Sequence, residues 1–267
     1  MSDSSIKSEY NKLQKNRKYI TVKNISFSEY KNNYVEKSNN KSLKLAIIIP
    51  FREHIDSKIR MNHLKNLVKH MNNFFNNTNI NHTYFIINQT SHDKRFNRGK
   101  LLNIGFKMAN KLKYDIFVTH DVDMLPNDYL LQYYLYIPKY PVHIAFPKST
   151  VKYSYSTYIG GINIYSKKDY IKINGFPNDF WGWGGEDDAI YDRIAINNLI
   201  VIRPNKGNIK ELEHKSFHKD TKNTNIKKWE NRIDNVKNWK TNGLTNLAYN
   251  IEKKRHLSNI YLFKVQL

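Results

Sequence analysis

The chain has no cysteine among its 267 residues, which excludes disulfides and thiolate metal sites. No apolar run approaches the roughly 20 residues of a membrane-spanning helix. The opening stretch, Met1 to Lys7, lacks the apolar segment of a signal peptide. The expectation is a cytoplasmic or otherwise soluble protein without a membrane span. Glycine is scarce, at 10 residues, and none of it forms a phosphate loop of the P-loop or dinucleotide type. That absence argues against a kinase, an ATPase or a dehydrogenase. G-x-S-x-G is also missing, which argues against a serine hydrolase of that kind. Acids are few: Lys and Arg number 44 against 23 Asp and Glu, a net charge of +21. Such a charge favours phosphorylated and polyanionic partners. The basic residues are scattered, however, with no stripe of interleaved aromatics, and nucleic acid is not an expected partner.

What is present is a globular composition, 40% hydrophobic and 13% aromatic, in a chain long enough to bury a core. Residues 1–43 are polar, rich in Lys, Asn and Ser, and read as an arm, partly ordered at best. Residues 44–267 read as one compact domain without repeat or linker. Leu45 to Ile49 is a buried-strand signal stopped by Pro50. Apolar positions at Ile59, Leu64, Leu67, Val68, Met71 and Phe75 predict a helix over 57–76. A strand at Tyr84 to Ile87, a helix over 99–112 and a strand at Asp115 to Thr119 follow. This alternation predicts an α/β fold with a mostly parallel central sheet and flanking helices. Ligands of such sheets sit beyond the carboxyl ends of the strands. Further on, His143 to Phe146, Tyr158 to Tyr165 and Leu199 to Ile202 look like shorter strands. Ile190 to Asn197 looks like a short helix, and 259–267 like a last strand.

Five motifs carry chemistry. Phe180-Trp181-Gly182-Trp183-Gly184-Gly185-Glu186-Asp187-Asp188 sets three acids beside two Trp and three Gly. Three adjacent acids repel unless a cation, a hydroxyl proton or backbone donors offset them. A helix N-terminus accounts for the acids but not for the Trp-Gly run, whose glycines suit unusual dihedrals or close backbone approach. Asp121-Val122-Asp123 ends a buried strand, and alternation puts both carboxylates on one side, where they attract a hard divalent cation. An Asx turn is the bland alternative. His214 and His218 share one face if their segment is helical, and imidazole ligates manganese-like ions; two solvated loop histidines are the equal alternative. Pro50-Phe51-Arg52 and Phe96-Asn97-Arg98 place Arg and Phe at strand-to-loop junctions, suited to phosphate and nucleobase, or to an ordinary surface ion pair.

In this order, the pieces IIIPFRE, FIINQ, FNRGKLLNIGF, FVTHDVDMLP, YIGGINIYSK, INGFPNDFWGWGGEDDAIYDRI, IRPN and the tail WENRI…TNGLTNLAYN resemble the β-1,4-galactosyltransferase family, glycosyltransferase family 7, over roughly residues 44–250. The resemblance implies a GT-A type nucleotide-diphospho-sugar transferase fold, a UDP-sugar donor and an Mn2+-like ion. It implies donor binding by Phe51, Arg52, Phe96, Arg98, Asp121, Tyr155 and Tyr158, a Tyr at the last position going with galactose. It implies acceptor binding by Trp183, Glu186 and Asp188, and Asp187 as catalytic base. Metal ligation falls to Asp123 and to the histidine element, here His214-Lys215-Ser216-Phe217-His218, where the family has Met-x-x-His or His-x-His. The family's animal members are Golgi type II proteins with a membrane anchor and cysteines; this sequence has no cysteine, and the expectation is that it is not of that type.

The leading expectation is a metal-dependent inverting galactosyltransferase acting on a glycan or glycoconjugate acceptor. Other UDP-hexose donors (glucose, N-acetylgalactosamine or N-acetylglucosamine) are the nearest alternative. A non-catalytic carbohydrate- or nucleic-acid-binding protein is the more distant one; it predicts metal-independent binding without UDP release.

Overall fold

The computed structural model describes residues 3–15, 22–38, 42–52, 59–90, 93–146, 155–212 and 224–267. Its strands are β1 (Val22–Ile25), β2 (Lys44–Phe51), β3 (Asn81–Gln89), β4 (Ile116–His120), β5 (Met124–Pro126), β6 (Val142–His143), β7 (Ile162–Ser166), β8 (Val201–Pro204), β9 (Ile209–Glu211), β10 (Asn250–Leu257) and β11 (Ile260–Gln266). The helices are α1 (Asp3–Lys15), α2 (Phe27–Asn33), α3 (Ile59–Phe75), α4 (Arg98–Lys111), α5 (Leu131–Tyr134), α6 (Lys167–Lys172), α7 (Glu186–Ile196) and α8 (Lys228–Asn238).

Among the described residues, nine strands form one sheet in the order β1-β8-β6-β7-β4-β2-β3-β11-β10, and β5 pairs with β9 beside it. The central neighbours β4, β2, β3 and β11 run parallel. Strand β7 runs antiparallel to both β4 and β6. The expected α/β class, a mostly parallel sheet between helices, is what forms. Alternation along β2 explains the layering. Leu45, Ile47 and Ile49 enter one core with α3, whereas Ala46 and Ile48 enter the other with α4. Each such fully buried Leu or Ile contributes about 1.5–3 kcal/mol over its exposed state.

Pro50 does not stop β2, which continues to Phe51. The pairing with β4 ends at Ile48, while the pairing with β3 runs on through Pro50. A proline is tolerated where its missing N–H has no ladder partner. The strand expected from Tyr158 begins only at Ile162, because Gly161 has a left-handed φ of +76° and turns the chain there. Helix α7 begins at the acids themselves rather than at Ile190.

Within residues 1–43, where a polar arm is the expectation, the described residues join the fold. β1 pairs in parallel with β8. Tyr30 of α2 is fully buried, and Tyr10 of α1 packs with Ile233 and Trp229 of α8. One buried apolar side chain per element is too thin a pattern for periodicity to register. No helix among the described residues is long and apolar enough to cross a membrane.

Candidate active site

The site lies beyond the carboxyl ends of β2, β3 and β4, where β7 departs from the parallel pattern. Strand β4 delivers Asp121 one residue past His120, and the Asp121 amide donates to the Gly161 carbonyl at 3.2 Å. Three glycines, Gly182, Gly184 and Gly185, take left-handed φ values of 92°, 108° and 95°. Side chains avoid that region, so the Trp-Gly run can fold back and start α7 at Glu186. All three acids then sit in the first helical turn, where the helix dipole favours negative charge.

Arg98, the first residue of α4, gathers the carboxylates. Its Nε donates to Asp121 Oδ1 at 2.7 Å, and its Nη1 donates to Asp187 Oδ1 at 2.8 Å and lies 3.8 Å from Glu186 Oε1. Sequence segments more than 60 residues apart thus meet on one guanidinium. Three acids on one arginine leave excess negative charge. Burial, and then the carboxylates of Asp123 and Asp187, push Asp121 up to about 6 against the opposing pull of Arg98. Asp187 is also raised, mainly by burial and also by Asp188, with Arg98 opposing. Glu186 is raised by burial and by Asp187, and its Oε2 is buried without a hydrogen-bond partner. The cluster therefore favours a proton, a hydroxyl donor or an added cation.

Asp123 faces the same region, as its effect on Asp121 requires. Its Oδ2 accepts from Arg60 Nη1 of α3 at 2.9 Å. Arg60 is a site neighbour that the helix pattern did not single out, since only the apolar positions of that helix carry periodicity. Among the described residues no group of three His, Cys, Asp or Glu side chains is placed to hold a metal. Expected ligands His214 and His218 lie outside the described residues. The described residues nonetheless fit a hard cation in part: hard carboxylate oxygens converge there, and Asp123 already draws a positive group.

Arg52 and Phe96 come together, the guanidinium 5.5 Å from the ring centroid and donating to the Lys94 carbonyl at 2.7 Å. Phe51, by contrast, is 2% exposed and packs into the core beneath the site. Tyr155 and Tyr158 stand edge to face at 5.6 Å, and the Tyr155 hydroxyl donates to Asp188 Oδ1 at 3.1 Å. Tyr158 is nearly buried. A Cβ built on Gly160 would fall 2.6 Å from both the Tyr158 hydroxyl and Asp187 Oδ2, so the backbone itself forms the wall beside Asp187. Trp183 is 42% exposed at the rim, and its carbonyl accepts from the Asn225 amide at 2.9 Å.

Beneath the tyrosines lies a buried chain whose His143 no sequence motif marks. The His143 Nε2 bonds the Gly160 carbonyl at 3.0 Å, which makes Nε2 the protonated nitrogen. Its Nδ1 then accepts from Arg203 Nε at 3.3 Å. Arg203 in turn donates to the carbonyls of Ser156 and Tyr158. Burial and the Arg203 charge hold His143 well below the usual histidine range, consistent with a neutral ring.

A mostly parallel sheet with helices on both faces, broken by an antiparallel strand beside an Asp-x-Asp turn, defines the GT-A class of nucleotide-sugar transferases. A family model described as the N-terminal region of glycosyl transferase group 7 matches residues 5–136, and one described as the N-terminal domain of galactosyltransferase matches residues 140–215. The chain belongs to the β-1,4-galactosyltransferase family. It is 36% identical over 213 residues to Bos taurus β-1,4-galactosyltransferase 1, spanning 77% of this chain and 50% of that protein. It is 34% identical over 219 residues to the Cricetulus griseus β-1,4-galactosyltransferase 4, spanning 80% and 60%. The chain thus spans about half the length of the curated relatives it matches. In structure it is similar to the catalytic domain of Drosophila β-1,4-galactosyltransferase 7 in complex with xylobiose, with a TM-score of 0.70, 32% identity, and 84% of this chain and 94% of that one covered. A mutant of that enzyme in complex with manganese, UDP-Gal and xylobiose gives a TM-score of 0.71 at the same identity.

Proposed function

We propose that residues 44–267, with the described part of residues 1–43 packed onto them, act as one catalytic domain, a metal-dependent inverting glycosyltransferase. It moves galactose from UDP-galactose to a hydroxyl of an acceptor sugar and forms a β linkage. The observation that carries this reading is the meeting of Asp121 and Asp187 on Arg98. The Drosophila relative in complex with manganese, UDP-Gal and xylobiose supports the choice of donor and metal.

In this reading Arg52 and Phe96 receive the uridine diphosphate, the ring offering a face for the base and the guanidinium its charge. Phe51 supports that wall from the core. Asp121 lies near the donor's ribose, and Tyr155 and Tyr158 lie along the donor. Asp187 is the general base: Arg98 fixes its Oδ1, and its Oδ2, on the Gly160 side, takes the proton of the acceptor hydroxyl as that oxygen attacks the anomeric carbon. A carboxylate raised above its usual range is a better base near neutral pH. Attack opposite the departing UDP converts an α-linked donor into a β-linked product. Glu186 and Asp188 bind acceptor hydroxyls, and Trp183 stacks on a sugar and excludes water. Asp123, with His214 and His218, would hold Mn2+ or a similar ion, which would neutralise charge on the departing diphosphate.

The test is UDP release from UDP-galactose, UDP-glucose, UDP-N-acetylgalactosamine and UDP-N-acetylglucosamine, with and without Mn2+. The expected result is fastest release from UDP-galactose, lost on chelation. Metal-independent sugar binding without UDP release from any donor would contradict the reading and favour a binding protein.

A further inference from the structure

Helix α1 reaches the acceptor side of the site through two residues. The Tyr10 hydroxyl lies 3.0 and 2.9 Å from the two carboxylate oxygens of Asp192, a side chain that is 1% exposed. Arg232 of α8 lies with its guanidinium 3.9 Å from the Tyr10 ring centroid and donates to the Tyr10 hydroxyl. From there Arg232 reaches Asp188 Oδ2 at 3.5 Å and Asp192 Oδ2 at 3.9 Å. Asp188 and Asp192 are one turn apart on α7 and so share a face. The Arg232 Nε is buried without a hydrogen bond, so the guanidinium is shared between two acids rather than locked on one. The second Asp188 oxygen is taken by the Tyr155 hydroxyl. Asp188 is thereby held from both sides, by the donor-side tyrosine and by Arg232.

We infer that Tyr10 and Arg232 are positioning residues for acceptor binding, and that α1 is a working part of the acceptor site. This inference rests on the reading of Asp188 as an acceptor-binding acid. The physical argument is a competition for one cation. Tyr10 supplies buried Asp192 with a hydroxyl donor and gives Arg232 a ring to lie on. Without that hydroxyl Asp192 has lost a donor, and a buried carboxylate draws a nearby cation more strongly than a partly open one. Arg232 then moves toward Asp192 and Asp188 loses one of its two anchors. Tyr155 still donates to Asp188 and still packs on Tyr158, and the donor-side contacts of Arg98 and Arg52 are unchanged.

The experiment uses the full chain with UDP-galactose, Mn2+ and a panel of acceptors comprising glucose, N-acetylglucosamine and xylobiose, in wild type, Tyr10→Phe, Arg232→Gln and Arg232→Lys. Tyr10→Phe keeps the ring and its packing. The expected result is an acceptor KM raised about fivefold or more in Tyr10→Phe and Arg232→Gln. Donor KM and acceptor-free UDP release should stay within about twofold of wild type, and Arg232→Lys should recover part of the loss. Acceptor KM unchanged in both Tyr10→Phe and Arg232→Gln overturns the inference, as do equal rises in donor and acceptor KM. Should Arg232→Gln fail to fold, Tyr10→Phe and Arg232→Lys carry the same comparison. A wild type that releases no UDP from any donor overturns the functional reading itself, and the inference with it.

Discussion

Replacing Arg98 by Ala removes the one cation on which three acids converge. In the native protein its Nε and Nη1 lie 2.7 and 2.8 Å from Asp121 and Asp187, and its side chain is only 12% exposed. Breaking a buried ion pair by deleting one partner costs about 3–5 kcal/mol, because the remaining charge is left unpaired. Three carboxylates then share the cleft, and the cost depends on pH. Arg98 pulls both Asp121 and Asp187 down, so in the variant both rise further. A carboxylate raised in the folded state binds a proton there that the unfolded chain has released. Its contribution is present below the unfolded carboxylate range and is lost as pH rises through the folded value. The deficit of Arg98→Ala therefore grows with pH, by about 1.4 kcal/mol per pH unit for each extra proton held on folding. Urea unfolding at pH 5.5, 6.5 and 8 measures it. The predicted deficit is about 3–5 kcal/mol at pH 8 and clearly smaller at pH 5.5. A deficit that is the same at all three pH values, or that shrinks as pH rises, refutes the electrostatic reasoning.

Arg60→Ala removes the guanidinium that occupies Asp123 at 2.9 Å; Mn2+ affinity, read by titration of the free-ion EPR signal, should tighten by about fivefold, and weaker binding would show that Arg60 does not compete with the metal. Gly160→Ala places a methyl group 2.6 Å from Asp187 Oδ2 and from the Tyr158 hydroxyl; kcat should fall at least about tenfold with a stability loss of about 1–3 kcal/mol, measured by steady-state kinetics and denaturation. A wild-type kcat in Gly160→Ala would remove that wall from the account. Between pH 4 and 6, the raised value of Asp121, about 6, makes its own contribution to the ligand-free stability fall as pH rises, against the opposite contribution of His120, held down to about 4; the Asp121 part, read as wild type minus Asp121→Asn, should shrink with saturating Mn2+ and UDP, and an identical difference with and without them would contradict a shared cleft.

The central sheet was legible because β2, β3 and β4 are continuous apolar runs, as strands buried on both faces must be. The Asp-x-Asp turn and the Trp-Gly run were legible because their residue types are costly without a purpose. Strand β10 was not. Its eight residues are all exposed, and Asn-Ile-Glu-Lys-Lys-Arg-His-Leu has no alternation to read; it forms because β11 offers an edge and Ser258, with a φ of 52°, turns the chain back. The ion pairs of Arg60 and Arg232 and the hydrogen bonds of Arg203 were equally hidden, since in a chain with 44 Lys and Arg residue pattern alone does not separate a paired arginine from a solvated one. Tyr10 was lost within a polar segment for the same reason. What sequence pattern conveys is burial and periodicity; which distant charges meet is decided by the topology.

The most direct test of the account is Asp187→Asn, assayed for galactose transfer and for UDP binding in Mn2+ on the same preparation. The amide keeps the size of the side chain and its bond from Arg98 but cannot take a proton. Transfer should fall by at least about a hundredfold while the Kd for UDP stays within about threefold. Retained transfer would show that another group is the base, and parallel loss of UDP binding would show that Asp187 shapes the donor pocket instead.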